Sequence, residues 1–258
     1  MKKWKILIVT NDKIIPEYYH NDKCFNKENW SFFNVSKNRM KSDVFDVINS
    51  CDIEGYEYMG KDWAESEVIY NIGKLGLFGD FDYIGIIHWD FNLYNRQYQT
   101  YRITENIDRI IEKYDWISFF PAQYLNINGT YDVLMDERKP NCLFVRDSGL
   151  ENPISSNRFI KDILEIKDIE QGHPISLCCS FLADRNTFYG ISRLISDIKE
   201  TKILDKFDTE RRHRYPGQFM ERLIAIYSTT RNQFQFGLDH RFIGGQELNK
   251  QDPHGENY

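Results

Sequence analysis

The sequence predicts an α/β fold: a mostly parallel central sheet flanked by helices. Three observations carry this expectation. Lys5-Ile-Leu-Ile-Val-Thr10 is an unbroken, largely β-branched run, the pattern of a strand covered on both faces. Asp82-Tyr83-Ile84-Gly85-Ile86-Ile87-His88-Trp89-Asp90-Phe91-Asn92 is a second apolar run, and it ends abruptly in His, Asp and Asn. Around these runs apolar residues recur at helical spacing, so strands and helices alternate along the chain as in a wound sheet.

Taken in order, the first strand covers residues 5–10 and is broken by Asn11-Asp12. From residue 12 to 60 the pattern is irregular, with a short helix expected at 42–49 and room for a second strand. Ala64, Val68, Ile72 and Leu75 then recur at helical spacing over 62–75, and Gly76 and Gly79 end that helix. The strand at 83–89 follows. Thr104 reads as the N-cap of the next helix, whose apolar face is Ile107, Ile110 and Ile111. A strand at 116–120 is closed by Pro121, and Asn128-Gly129 marks either a hairpin or an acceptor-facing loop within 123–156. Helices at 157–166, 185–199 and 217–228 and a strand at 175–182 complete the reading. The expectation is one domain over 1–245 and a loose polar tail over 246–258.

Composition narrows the class of function. With 258 residues, 41% of them hydrophobic and 15% aromatic, the chain buries a large core in one domain. A net charge of -6 argues against nucleic-acid binding, which needs a basic face. The five cysteines lack metal-type spacing, and Cys178-Cys179 lies in an apolar segment, so a reducing, cytoplasmic setting is expected. The N-terminal apolar run is far short of the roughly 18 residues that span a bilayer, so no integral membrane segment is expected. The oligomeric state is left open.

Three groups of residues suit chemistry. His88 and Asp90, and likewise Asp90 and Asn92, are two apart on an extended chain, which puts each pair on one face. Such a pair suits a cation or a sugar hydroxyl; it also suits a strand-end turn in which Asp90 and Asn92 bond nearby backbone. Arg211-Arg212-His213-Arg214 precedes a helix whose polar stripe is Gln218, Glu221 and Arg222, and the basic run suits a diphosphate or, equally, a solvated loop. His240, between Asp239 and Arg241, suits either a metal site or the surface.

With those residues on the page, Glu65-x4-Tyr70-x3-Lys74 followed by Asp82-Tyr83-Ile84-Gly85-x2-His88-Trp89 resembles a family of capsular and exopolysaccharide glycosyltransferases. Arg214-Tyr-Pro-Gly217-Gln-Phe-Met-Glu221-Arg222-Leu223 resembles that family's Gly-Phe-x-x-Glu-Arg-Leu helix, and Cys179-Ser-Phe-Leu-Ala-Asp-Arg-Asn-Thr-Phe188 resembles the strand and helix before it. Order and spacing agree over roughly residues 60–230. Three departures stand out: Asn71 and Gly73 where the family has Trp, Asp90 where it has Arg, and Thr10-Asn11-Asp12 where it has Thr-His-Lys.

The resemblance implies a GT-A fold and transfer of a sugar from a nucleotide-diphosphate-sugar donor to a glycan acceptor. On that basis Asp90 and Glu221 are the catalytic candidates, Glu221 either as a base or as the residue that orders Arg222. Thr10, Asp12, Lys74, His88, Arg214 and Arg222 are expected to bind donor. Asp90, Asn92 and His240 are expected to hold a divalent cation, Mn²⁺ or Mg²⁺. The alternative is a catalytically silent carbohydrate-binding or scaffold module, its 16 Tyr, 18 Phe and 5 Trp stacking on sugars. A nucleotidyltransferase is disfavoured, because no Gly-rich phosphate loop follows the first strand.

Overall fold

A computed structural model of the protein describes residues 2–11, 13–15, 19, 25–89, 91, 99–119, 121–122, 175–176, 179–202, 204, 215–228, 231 and 233–235. The strands are β1 (Trp4–Thr10), β2 (Trp30–Asn34), β3 (Val47–Asn49), β4 (Tyr83–His88), β5 (Trp116–Ser118), β6 (Pro121–Ala122), β7 (Ile175–Ser176), β8 (Phe181–Asp184) and β9 (Gln233–Gln235). The helices are α1 (Glu65–Leu75), α2 (Gln99–Ile110), α3 (Arg185–Thr201) and α4 (Tyr215–Ser228).

Seven strands form one sheet in the order β3-β2-β1-β4-β8-β5-β9, and β6 pairs with β7 in a separate antiparallel ribbon. Only β8 runs against its neighbours β4 and β5; the other pairings are parallel, as expected of a mostly parallel sheet. β1 lies near the middle, and all seven of its residues are buried, which is why its sequence is apolar without alternation. Alternate side chains nevertheless go to different cores. Leu7, Val9, Phe33, Ile84, Ile86 and Phe181 pack under α1, α3 and α4, whereas Ile6, Ile8, Phe32, Ile87 and Leu182 pack under α2. The result is a three-layer α/β/α fold.

Each helix end has a local cause. Asp184 caps α3, its carboxylate accepting the N–H groups of Asn186 and Thr187 at 3.0 and 3.2 Å. Gly76 ends α1 in the left-handed conformation, φ 64°, and Leu77 N–H returns to Ile72 O at 2.9 Å. α1 and α3 cross at Gly73, where Ser192 of α3 fills the space a side chain would occupy and donates to Tyr70 O at 3.0 Å. Asn71, fully buried, accepts Glu57 N–H and donates to Glu57 O, which holds the preceding loop to the helix. Both residues of the first departure, Asn71 and Gly73, are thus packing devices of α1.

Four local expectations are corrected. Residues 42–49 are not a helix: Ser42 Oγ accepts the N–H groups of Val44 and Phe45 in a turn, and β3 follows. Thr104 is not an N-cap but lies inside α2, its hydroxyl donating back to Thr100 O at 2.8 Å and accepting Trp30 Nε1–H at 3.1 Å. The strand expected at 175–182 divides into β7, in the ribbon, and β8, in the main sheet. The helix expected from residue 62 begins at Glu65, because Ala64 breaks it with φ 49° and ψ -134°. The expectations for 123–156, 157–166 and the C-terminal tail lie outside the described residues. Among the described residues no helix is long and apolar enough to cross a membrane.

Candidate functional site

The chain leaves β1 for β2 and β3 on one side and returns to β4 on the other, so the carboxyl ends of β1 and β4 flank a topological switch point. Open sheets bind ligands in the crevice this creates. Register places Val9 beside His88 and Thr10 beside Asn34, which in turn lies beside Asn49. The two amides are structural: Asn34 Nδ2 donates to Asn49 Oδ1 at 3.0 Å and to Asn38 O at 2.8 Å, while Asn49 Oδ1 accepts Met40 N–H at 2.8 Å. Thr10 is buried, and its hydroxyl donates to Lys13 O, closing the turn after β1.

His88 follows Ile84 and Ile86 onto the α1 side of the sheet. Its Nδ1 lies 2.9 Å from Glu65 Oε1, with the side chains 24% and 11% exposed, so the pair is partly open to ligand yet largely out of water. Glu65 is the first residue of α1, where the positive end of the helix dipole favours a carboxylate. Trp89 turns to the other face. Its carbonyl accepts the Tyr19 hydroxyl at 2.6 Å, and Lys13 Nζ sits 5.7 Å from its ring centroid. α4 reaches the same end of the molecule: a Cβ on Gly217 would lie 3.0 Å from Asp62 O and 3.2 Å from Ala64 Cβ.

The far end of α1 carries a separate cluster. Glu57 accepts from Lys199 Nζ at 2.5 Å, Lys74 Nζ at 2.8 Å and the Tyr70 hydroxyl at 3.0 Å, and both ammonium groups lie over the Tyr70 ring. The hydrogen bond from Lys199, then that from Lys74, holds the Glu57 carboxyl down to about 2 from its ordinary 4.5. A depressed acid stabilises the fold above its unfolded value and loses that effect as pH falls through its folded value. Glu57→Gln is therefore expected to lower stability by at most about 1 kcal/mol near neutrality, since the pair is solvent-screened. Denaturant melts should show that gap closing as pH drops from about 4.5 and shrinking in high salt.

Neither a family model nor a curated protein matches this chain. Among solved structures it is similar to the apo structure of the bifunctional glycosyltransferase WbbM, with a TM-score of 0.59 at 14% identity. The fold is one that a glycosyltransferase uses. The match covers 92% of this chain but 45% of WbbM, so the chain spans less than half of that protein's length. The mannosyltransferase Ktr4p of S. cerevisiae is more distant, at a TM-score of 0.33 and 9% identity over 91% of this chain and 69% of that one. The assignment of fold rests on the former.

Against this frame the sequence-derived candidates divide. His88 and Thr10 stand at the switch point. Glu221 is half-exposed on α4, one turn beyond Gly217, and Arg222 is the next residue of that helix. Lys74 is nine residues along α1 from Glu65, about 13 Å by helical rise, and is engaged by Glu57. Asp12, Asp90, Asn92, Arg214 and His240 lie outside the described residues. Among the described residues no three His, Cys, Asp or Glu side chains converge as a metal site. The residue that spacing did not single out for a role is Glu65. Its signal was its place at the head of the Glu65-x4-Tyr70-x3-Lys74 pattern, which gave it no partner, because α1 and the turn after it separate Glu65 from His88 in sequence.

Proposed function

We propose that this chain is a nucleotide-sugar-dependent glycosyltransferase domain, hexosyl or deoxyhexosyl, that transfers sugar to a glycan acceptor in polysaccharide or glycoprotein-glycan assembly. The observation that carries the reading is the His88–Glu65 pair at the switch point of a sheet whose fold a glycosyltransferase shares. Sugar transfer breaks the bond from the anomeric carbon to a diphosphate oxygen, and the departing charge must be neutralised. Arg214 and Arg222 are assigned to that diphosphate, and Thr10 and Asp12 to the ribose or base at the end of β1. Lys74 is left to Glu57. Glu221 serves as base toward the acceptor hydroxyl or orders Arg222.

Asp90, Asn92 and His240 are the residues assigned to a divalent cation, Mn²⁺ or Mg²⁺. A carboxylate, an amide oxygen and an imidazole form a donor set that suits such ions, and the ion when bound adds positive charge at the diphosphate. A cytoplasmic setting belongs to the same proposal, in keeping with free thiols at Cys51 and Cys179.

Thermal melting with nucleoside diphosphates, with and without Mn²⁺, tests the reading. A ligand at a hundred times its Kd stabilises by about 2.7 kcal/mol, about 5–10 °C for a domain of this size. The matching nucleotide should give such a shift, and a donor-hydrolysis screen should then find turnover. No shift with any nucleotide would leave the silent carbohydrate-binding module as the better account.

A further inference from the structure

Among the described residues two large hydrophobic side chains are left exposed, Val44 and Tyr58, and Tyr58, at 37%, is the aromatic one. The segment that carries it is strapped to α1. Buried Glu67 accepts the N–H groups of Met59 and Gly60 at 2.7 and 3.0 Å and the Tyr56 hydroxyl at 3.1 Å. Asn71 holds the backbone of Glu57, and Lys74 holds its carboxylate. Ser50 Oγ donates to Ser36 O, so it accepts the Tyr58 hydroxyl, at 3.2 Å. The Tyr56 ring packs edge-on against Tyr58, with centroids 5.1 Å apart. A ring held in this way offers a binding face at little further cost in entropy.

Ser50 follows β3 and Lys37 lies just beyond β2, and both strands run parallel to β1. The ring therefore stands on the carboxyl edge of the sheet, on the β2–β3 side of the switch-point crevice. Lys37 Nζ sits 5.3 Å from the ring centroid, and its neighbour Arg39 is engaged by Asp52. The amides at these strand ends are committed to the fold: Asn34 and Asn49 bond each other and the backbone of Ser36, Asn38 and Met40. A nucleobase is selected by donors and acceptors along its edge, and those amides are spent. What remains is an apolar face and an ammonium. The C–H face of a pyranose suits the first, and a carboxylate on that pyranose offers the ammonium a full charge in place of the ring's quadrupole. We infer that Tyr58 and Lys37 form a subsite for an acidic sugar, a uronate of the glycan acceptor, an assignment that rests on the proposed glycosyltransferase reading and specifies its acceptor.

Titration of the full chain with short oligogalacturonate, hyaluronan and alginate fragments, and with the carboxyl-reduced form of each, tests the subsite by calorimetry. At least one acidic fragment should bind. Its reduced form should bind about threefold more weakly, the scale of one exposed charge pair, and high salt should remove the difference. Tyr58→Ala should weaken that fragment about tenfold, the scale of truncating an aromatic anchor. Tyr58→Phe keeps the ring and should stay within about threefold of wild type. Lys37→Gln should abolish the preference for the acidic form, and Lys37→Arg should keep it. Binding of no acidic fragment, or equal binding of acidic and reduced forms, overturns the inference.

Free nucleoside diphosphates separate this subsite from that of the donor. Their Kd should change less than about threefold in Tyr58→Ala, as expected of independent sites. A larger loss would make the ring a platform for the donor base and overturn the inference. A nucleotide that stabilises the chain while no acidic fragment binds leaves the proposed function standing without this subsite. Acidic fragments that bind through Tyr58 and Lys37 while no nucleotide binds would sink the transferase reading and keep the acidic-sugar subsite in a silent module.

Discussion

Asp90→Ala is expected to lower donor turnover at least about a hundredfold, the scale of deleting one preorganised charge partner in a water-poor site. Asp90 follows His88 and Trp89 in the chain, and His88 closes β4 beside Val9 near the end of β1. A diphosphate leaving an anomeric carbon gathers negative charge, and in the proposed reading Asp90 acts by holding the counter-charge in place. Asp90→Asn keeps the size and a neutral oxygen, so it should fall between wild type and Ala in steady-state hydrolysis of the matching nucleotide sugar. Wild-type turnover in the Ala variant would remove Asp90 from the reaction.

Gly73→Ala should destabilise the fold by about 1–3 kcal/mol, the cost of overpacking. Here the sign is as informative as the size. Helix propensity alone favours Ala over Gly within a helix by about 1 kcal/mol, so a solvent-facing Gly73 would give a more stable variant. The new Cβ would instead meet Ser192 Oγ at 2.1 Å and Ser192 Cβ at 2.3 Å, with neither atom able to move far while α1 and α3 stay packed. Ser192→Gly should recover much of the loss in the double variant, a non-additivity expected of residues in contact. Urea melts of the two single variants and the double variant measure both effects. Equal or greater stability for Gly73→Ala would contradict the helix crossing.

What was legible in the sequence followed physical range. The apolar runs of β1 and β4 and the helical spacing of Val68 and Ile72 reflect burial, which each residue records for itself. The stop at Gly76 was equally local, since a left-handed cap selects glycine. Thr104 misled because its hydroxyl serves Thr100 O and Trp30 Nε1 from inside α2, contacts that no window around it contains. The direction of β8 was not readable either, since apolar content says nothing of whether a strand pairs parallel or antiparallel. In the site, His88 was visible as a polar break at a strand end. Glu65 was visible as a motif residue but its contact with His88 was not, because that contact depends on the turn at Ala64 and on the fold of α1 against β4.

A crystal structure of the chain with a nucleotide-sugar donor tests the central claim most directly. The diphosphate is expected in the crevice beyond β1 and β4, within about 3 Å of its polar partners. Donor held elsewhere, for instance at the Glu57 end of α1, or an Asp90 carboxylate turned away from the phosphates into packed interior, would contradict it.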